Sequence, residues 1–364
     1  MMGPKRGVAP HHVKVGSLFP GRDTKRTDLM TLLQMSKAFG LLPLDDGLNY
    51  SVMWIVYSIG FSVAFTFLSL GYKTYYMVDT DDFENNAWHK IIFYCRALVE
   101  NIIIVSHLAQ VLVHRKELPE VLKEIKKIGL RSTYARYFAP VGYLIIILNF
   151  VVIAVLEQNS STSTRASLAT AFCEVLCLII LVQFCAVLEV FKNEMDVLTS
   201  RISINQAKLE VLSDRRQVIL EMAGSTNKVF SVQLLLICFK LFTDVIYFAY
   251  FTIIEIKEIA TPKGNPIKVI RMPLYAVWQL FELYSISSST EKLVESAENF
   301  NAELFQLMRD NKDLCKNKKL SLCLALKQTV NFTACGFFTL GYPLVTSIIA
   351  AATTYLVILV QFSL

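Results

Sequence analysis

The chain alternates between long apolar stretches and shorter charged ones. Residues 50–70 and 138–156 contain no charge, and each run is long enough to cross a hydrocarbon layer, which takes about 20 helical residues. Four further runs, 90–113, 166–188, 229–254 and 272–290, are similarly apolar but carry a few ionisable side chains. The last run, 328–364, extends for 37 residues without a charge or a histidine, which is more than one straight span needs. Gly336, Gly341 and Pro343 are natural places to divide it, because glycine tolerates unusual backbone angles and proline suits the first turn of a helix. The pattern predicts a half-helix ending near Phe332, a break, and a seventh span over 343–362.

Helical periodicity continues through the polar segments. In 291–309, EKLVESAENFNAELFQLMR, the side chains of Leu293, Val294, Ala297, Phe300, Leu304, Phe305 and Met308 form one apolar stripe opposite a charged face. Segments 116–128 and 191–221 read the same way. Their polar faces carry both charge signs, whereas helices that lie on lipid carry a basic bias. Extensions of the spans packed as a bundle therefore fit better. The expected fold class is all-α: a polytopic membrane protein with seven transmembrane helices and a cytosolic helical anchor region.

Composition agrees, since 54% hydrophobic and 18% charged residues over 364 positions are too apolar for a soluble protein of this size. The net charge of +6 gains meaning from its distribution. Twenty-seven basic residues lie before the first span and in the segments 114–137, 191–228 and 291–328, against seven in the remaining loops. By the positive-inside rule the N-terminus is cytosolic, and seven spans then place Leu364 outside. The basic excess is thus a signal of topology, and nucleic acid is not an expected partner. Residues 1–48 lack an apolar core like that of a cleavable signal peptide, so the first span is expected to direct insertion.

Candidate chemistry is sparse. Of the eight cysteines, Cys173, Cys177, Cys185 and Cys238 fall inside spans and Cys315 and Cys323 on the reducing cytosolic side, which does not describe a disulfide framework. His107 and His114 share a helix face but lack the carboxylate or thiolate partners of a metal site. No metal or other cofactor is expected. Asn159 opens a glycosylation sequon in a short loop that the topology places outside. No repeat, nucleotide-binding glycine loop, zinc motif or nucleophile elbow is present, so no enzyme reading has support.

Charged residues inside spans are costly and mark function or mutual pairing. Arg96 with Glu100, and Lys240 with Asp244, are each spaced i, i+4 and can neutralise one another on one helix. Glu174 and Glu282 have no such local partner. Counting along each helix puts Glu174 and the face formed by Tyr275, Trp278, Gln279 and Glu282 in the outer half or near the midplane. Aromatics with a few polar groups suit a small organic ligand, so these five residues form the candidate pocket, with Arg96, Glu100 and Asp244 as further candidates. On the seventh span Ser347, Ala351, Thr354, Ile358 and Gln361 share one face of small and polar side chains. Such a face can line a pore or pack closely against another helix.

The pair Thr354 and Tyr355, five apolar residues, then Gln361 and Phe362 resembles the signature that closes insect gustatory receptors. The stretch ACGFFTLGYPLVTSIIAAATTYLVILVQF, residues 334–362, is similar to that family's C-terminal region, and AFGLLPL, residues 38–44, resembles the segment ahead of its first span. The resemblance implies a ligand-gated, non-selective cation channel of four subunits, related to insect odorant receptors. It implies a seventh helix around a central pore, a cytosolic anchor holding subunit contacts, and a ligand pocket among the second to sixth spans. In the sugar-sensing branch the residue after the signature tyrosine is typically glutamate; here it is Leu356, which favours the branch that includes bitter receptors.

On this reading Ser347, Ala351, Thr354, Ile358, Gln361 and Phe362 line the pore, with Gln361 and Phe362 at an outer gate. Four regions follow: a cytosolic N-terminal segment (1–48), six transmembrane helices with the ligand-binding region (49–290), an anchor of helix extension and half-helix (291–332), and a break with the pore-lining seventh helix (333–364). The implied partners are a small-molecule tastant, permeating cations, membrane lipids, and copies of this chain or related receptors in a homotetramer or heterotetramer. The implied location is the plasma membrane of sensory neurons. Two other classes fit the spans less well: a ligand-silent co-receptor subunit, and a secondary transporter, which would often show two related halves. The charge asymmetry makes one prediction: a tag after Leu364 is labelled on intact cells and a tag before Met1 is not, and the reverse pattern would overturn the topology.

Overall fold

The computed structural model describes residues 28–79, 87–128, 132–156, 161–203, 205–258, 266–325 and 330–363, and among these the fold is all-α apart from one two-stranded hairpin. The first helix, α1 (Asp28–Ala38), ends where Gly40 takes a left-handed conformation at φ +65°. There the Leu41 amide donates to Ser36 O at 2.8 Å and the Gly40 amide to Lys37 O at 3.0 Å. These bonds close the last turn as glycine at this position permits. The turn drives Leu41, Leu42 and Leu44 into the core.

Next come α2 (Val52–Asp79), α3 (Ala87–Val113) and α4 (Glu117–Ile128). A π-helical turn, Tyr134–Phe138, then leads into α5 (Ala139–Leu156). Three long helices follow: α6 (Ser161–Ser200), α7 (Gln206–Glu258) and α8 (Pro266–Asp310), of 40, 53 and 45 residues. At about 1.5 Å per residue each is far longer than a hydrocarbon core of about 30 Å. Each therefore serves two environments. Along α2 the outward side chains are apolar, with Val52 78% and Phe67 76% exposed, and α5 turns Leu144, Ile147 and Leu148 outward in the same way. Such surfaces are stable only against lipid or another chain.

Five helical segments are long and apolar enough to cross a membrane among the described residues: 52–74, 94–113, 168–200, 206–256 and 342–361. The apolar segment at α5, Ala135–Leu148, is shorter. In α8 Glu282 and the serine-rich turn ending at Thr290 dilute the apolar character, and these side chains are buried inside the bundle.

The centre of the molecule is α6. Leu176, Ile179, Val182, Phe184, Cys185, Ala186 and Leu188 are all fully buried, as expected of a helix that is apolar all round. Gln183, in the middle of this run, donates to the Ser36 hydroxyl of α1, so the buried amide has a partner. At Gly142 of α5 an added Cβ would lie 2.5 Å from Leu178 Cδ2 and 2.9 Å from Trp278 Cζ2. The missing side chain is what lets α5 approach α6 and α8.

The polar segments pack as a bundle. On α8 the expected stripe is buried at Leu293, Ala297, Phe300, Leu304 and Met308, while Phe305 is exposed. On α4 Leu118, Val121, Leu122 and Ile125 join the core. Residues 201–203 leave the helix, so the segment 191–221 is two helices, the end of α6 and the start of α7. The short helices α9 (Lys312–Cys315) and α10 (Lys318–Ala325) close the bundle, where Asn317 Nδ2 donates to Glu210 at 2.6 Å and Lys319 pairs with Asp214 at 2.7 Å. Arg216 lies over the Phe300 ring at 5.6 Å.

The division of the last apolar run differs from expectation. Helix α10 ends at Ala325, and Phe332, expected to end a half-helix, leads instead into a hairpin of β1 (Thr333–Ala334) and β2 (Phe338–Thr339). Cys335 and Gly336 turn it with φ values of +51° and +76°, a left-handed pair that tight hairpin turns require. Four residues of sheet are too few to leave a strand pattern in the sequence. After the hairpin, α11 (Tyr342–Ser363) runs to the end of the described chain.

Candidate functional site

Charges that the sequence distributes over four helices meet in one place. Lys73 of α2, Arg96 and Glu100 of α3, Glu174 of α6, and Lys240 and Asp244 of α7 are all buried. Arg96 reaches Glu174 at 2.5 Å, Asp244 at 2.8 Å and Glu100 at 3.2 Å. Lys240 reaches Asp244 at 2.6 Å and Glu174 at 2.8 Å, and Lys73 reaches Glu100 at 2.5 Å. Three cations face three carboxylates, so this lattice is neutral as a whole. Each ion bears a desolvation cost of several kcal/mol, offset only because its partners sit at hydrogen-bond distance. The Arg96 guanidinium also lies over the rings of Phe248 and Tyr247 at 5.2 and 5.5 Å, which lengthens the lattice with an aromatic edge.

Both i, i+4 pairs expected from the sequence are present, but they are parts of something larger. Glu174, which lacks a partner on its own helix, finds two on α3 and α7. Lys73 escaped the sequence reading because the first charge-free run stops at residue 70, whereas α2 continues to Asp79. The signal was there: a lysine one turn beyond an apolar run, between Tyr72 and Tyr75.

The α8 candidates divide between two sides. Tyr275 packs on Phe248 at 4.7 Å, which ties it to the aromatic edge of the lattice, and Glu282 is buried within electrostatic reach of Lys240 and Glu174. Trp278 turns toward the start of α5, where it stacks on Phe138 of the preceding π-helical turn at 5.3 Å. Gln279 is 0% exposed, and neither end of its amide makes a hydrogen bond. A buried amide with both ends unpaired is costly and suits a site that a polar ligand completes. An apolar cavity that was not foreseen lies between α1, α4, α6 and α7, with Leu33, Leu122, Val187 and Phe230 in its wall.

On α11 Ser347, Thr354, Ile358 and Gln361 are exposed and Ala351 is half-buried, so the expected face is largely uncovered by the rest of the chain. Ser347 Oγ donates to Pro343 O at 2.8 Å and Thr354 Oγ1 to Ala350 O at 3.0 Å, which satisfies both hydroxyl protons within the helix. Tyr355 meets Phe242 of α7 edge-on at 5.8 Å. Phe362 lies in the helix, with its side chain outside the described residues, and Asn159 falls outside them altogether.

Apolar outward faces, a neutral charge lattice buried between helices, and long helices continuing into a polar bundle together define a membrane-embedded helical protein. The chain belongs to the 7tm chemosensory receptor family, whose profile matches residues 29–364. This is a family of receptors, not of enzymes. Over 163 residues, 42% of the chain, it is 26% identical to putative gustatory receptor 28b of Drosophila melanogaster, and the match spans 34% of that relative's length. Its fold is similar to the insect olfactory receptor OR5 from Machilis hrabei. The TM-score is 0.59 at 12% identity for the receptor alone and 0.57 at 13% for its complex with eugenol. Each alignment covers 92% of this chain and all of the other.

The lattice generates a prediction. Replacing Arg96 by Ala leaves three buried carboxylates short of their shared cation, a change that costs about 3–5 kcal/mol where such pairs are broken. Surface expression and the thermal aggregation midpoint of the detergent-solubilised protein should both fall. A midpoint equal to that of the parent would show that the lattice carries no structural weight.

Proposed function

We propose that this chain is a subunit of a tetrameric, ligand-gated, non-selective cation channel that detects tastants, of the non-sugar branch, in the plasma membrane of sensory neurons. The observation that carries the reading is α11. It is apolar enough to span a membrane, yet only 11% of that span is buried by the rest of the chain. Its small and hydroxyl-bearing face is available to a symmetry axis. In this reading α2, α3, α5, α6, α7, α8 and α11 are the seven spans, and the bundle of α4, α9, α10 and the inner ends of α6 to α8 is the anchor. Four copies of α11 then surround a path with no charged ring, and weak discrimination among cations follows. Phe362, repeated four times, closes that path by keeping it dry, and Gln361 offers amide oxygens to a dehydrating ion.

The ligand in this proposal is a small uncharged molecule. The acids Glu100, Glu174 and Asp244 are already neutralised by Arg96, Lys73 and Lys240, so they hold no net charge in reserve for a cation. Tyr275 and Trp278 supply aromatic area, Gln279 supplies the unpaired donor and acceptor, and Glu282 supplies a further polar group. The eugenol seen with the olfactory receptor is a molecule of this type.

Expression of the chain alone, with whole-cell recording against a panel of bitter compounds and sugars, tests the reading. Cation currents evoked by uncharged bitter compounds are expected, and Phe362→Ala should raise current in the absence of ligand. Gln279→Met removes an amide that bonds nothing in the fold, so surface expression should hold while agonist potency falls about tenfold or more, the loss of one to two buried hydrogen bonds. Current only on co-expression with a related receptor would instead identify a co-receptor subunit. Absence of current in both settings would overturn the channel reading.

A further inference from the structure

Helix α8 joins the two halves of the proposed mechanism. It carries Tyr275, Gln279 and Glu282, and one to three turns further on it meets the chain that leads into α11 at three points. Tyr284 stacks on Tyr342, the first residue of α11, with ring centroids 5.9 Å apart and planes 28° apart. Thr290 is 1% exposed, and its hydroxyl lies 2.6 Å from Leu340 O. The carbonyls of its own helix are farther, Ser287 O at 2.9 Å and Ile286 O at 3.3 Å, so the single proton has its shortest acceptor outside α8. Third, the Glu291 carboxylate sits over Gly341, where an added Cβ would collide with Oε1. That places a negative group at the N-terminus of α11, where the helix dipole favours it.

The far side of this junction is anchored. Leu340 uses its amide as well as its carbonyl, donating to Phe332 O at 2.8 Å, and Phe332 packs edge-on to Phe184 of the buried α6 at 6.4 Å. Phe332, Ala334 and Leu340 are all buried. Beyond the hairpin α11 is held lightly: Leu344 and Ala352 are its only buried apolar side chains among the described residues. A helix fastened firmly at one end and loosely along its length takes its orientation from the fastened end.

We infer that Thr290 is a positioning residue of the gate: its bond to Leu340, supported by the Tyr284–Tyr342 stack and the Glu291 carboxylate, makes the ligand-bearing helix α8 set the angle of α11. The inference rests on the channel reading and adds to it the route by which the ligand site acts on the pore. Thr290 touches neither ligand nor permeating ion. It acts through the backbone of Leu340.

The test uses Thr290→Val, which keeps the shape and removes the hydroxyl, and Thr290→Ser, which restores it. In the full-length protein reconstituted in nanodiscs, hydrogen–deuterium exchange at the Leu340 and Leu344 amides should speed up about tenfold in the valine variant and return to the parent rate in the serine variant, as local opening dictates. Exchange in 229–241 of α7 should stay unchanged, which separates a lost tie from general unfolding. In recordings at matched surface density, ligand-free current of the valine variant should differ from the parent at least about fivefold, with the serine variant restored. Parent-like exchange at both amides overturns the inference, and so does altered exchange with parent-like current. If the parent carries no current, either alone or with a related receptor, but exchange changes as expected, the tie between α8 and α11 stands and the channel reading falls, so the two fail separately.

Discussion

Hydrocarbon offers no water to a buried charge, and the arrangement of the helices follows from that constraint. The six ionisable side chains of the lattice lie deep in the bundle, and none could stay ionised there alone. Their solution requires α2, α3, α6 and α7 to be in register with one another to within the length of a hydrogen bond. Arg96 holds the tightest position, since its planar guanidinium addresses three carboxylates from two other helices and its own. Apolar packing alone gives helices in a bilayer little reason to prefer one rotation over another, because lipid tails are as apolar as leucine. The lattice supplies that preference, and α6, buried on all sides, gives the other helices a common surface to close upon.

Much of this fold can be read in the sequence, for identifiable reasons. A span declares itself by length and lack of charge, both local properties: the first six apolar runs lie largely on α2, α3, α5, α6, α7 and α8, whereas the described part of the last divides between the hairpin and α11. The extension of α8 is equally legible, because Leu293, Ala297, Phe300, Leu304 and Met308 repeat at the helical period and that face is the buried one. The lattice is half legible. A partner four residues away on one helix is visible from spacing, but the attachment of Glu174 to Arg96 and Lys240, and of Lys73 to Glu100, depends on how helices are placed. No local pattern records that placement. The hairpin is less legible still, since its turn depends on the left-handed backbone of Cys335 as much as on Gly336, and cysteine gives no warning of such a conformation.

The candidate site shows the same division. The sequence reading puts Tyr275, Trp278, Gln279 and Glu282 on one face of α8, whereas Trp278 turns away to Phe138; nor could sequence say that the acids of α3, α6 and α7 are already matched by cations, while the Gln279 amide makes no hydrogen bond. Chemical availability, more than residue type, distinguishes a group that holds the fold from one that can meet a ligand. The four acids look alike in the sequence, and only tertiary structure separates Glu282 from the three bound in the lattice.

The neutrality of the lattice has an electrical consequence. Moving one elementary charge across a membrane potential changes its energy by about 2.3 kcal/mol per 100 mV. A helix that carried Arg96 or Lys240 without its counter-ions would therefore be pulled by the resting potential of any cell that made it. With three positive and three negative groups travelling together, a rearrangement of these helices displaces no net charge through the field. On the proposed reading, such a receptor answers to its ligand with little bias from the voltage across its own membrane.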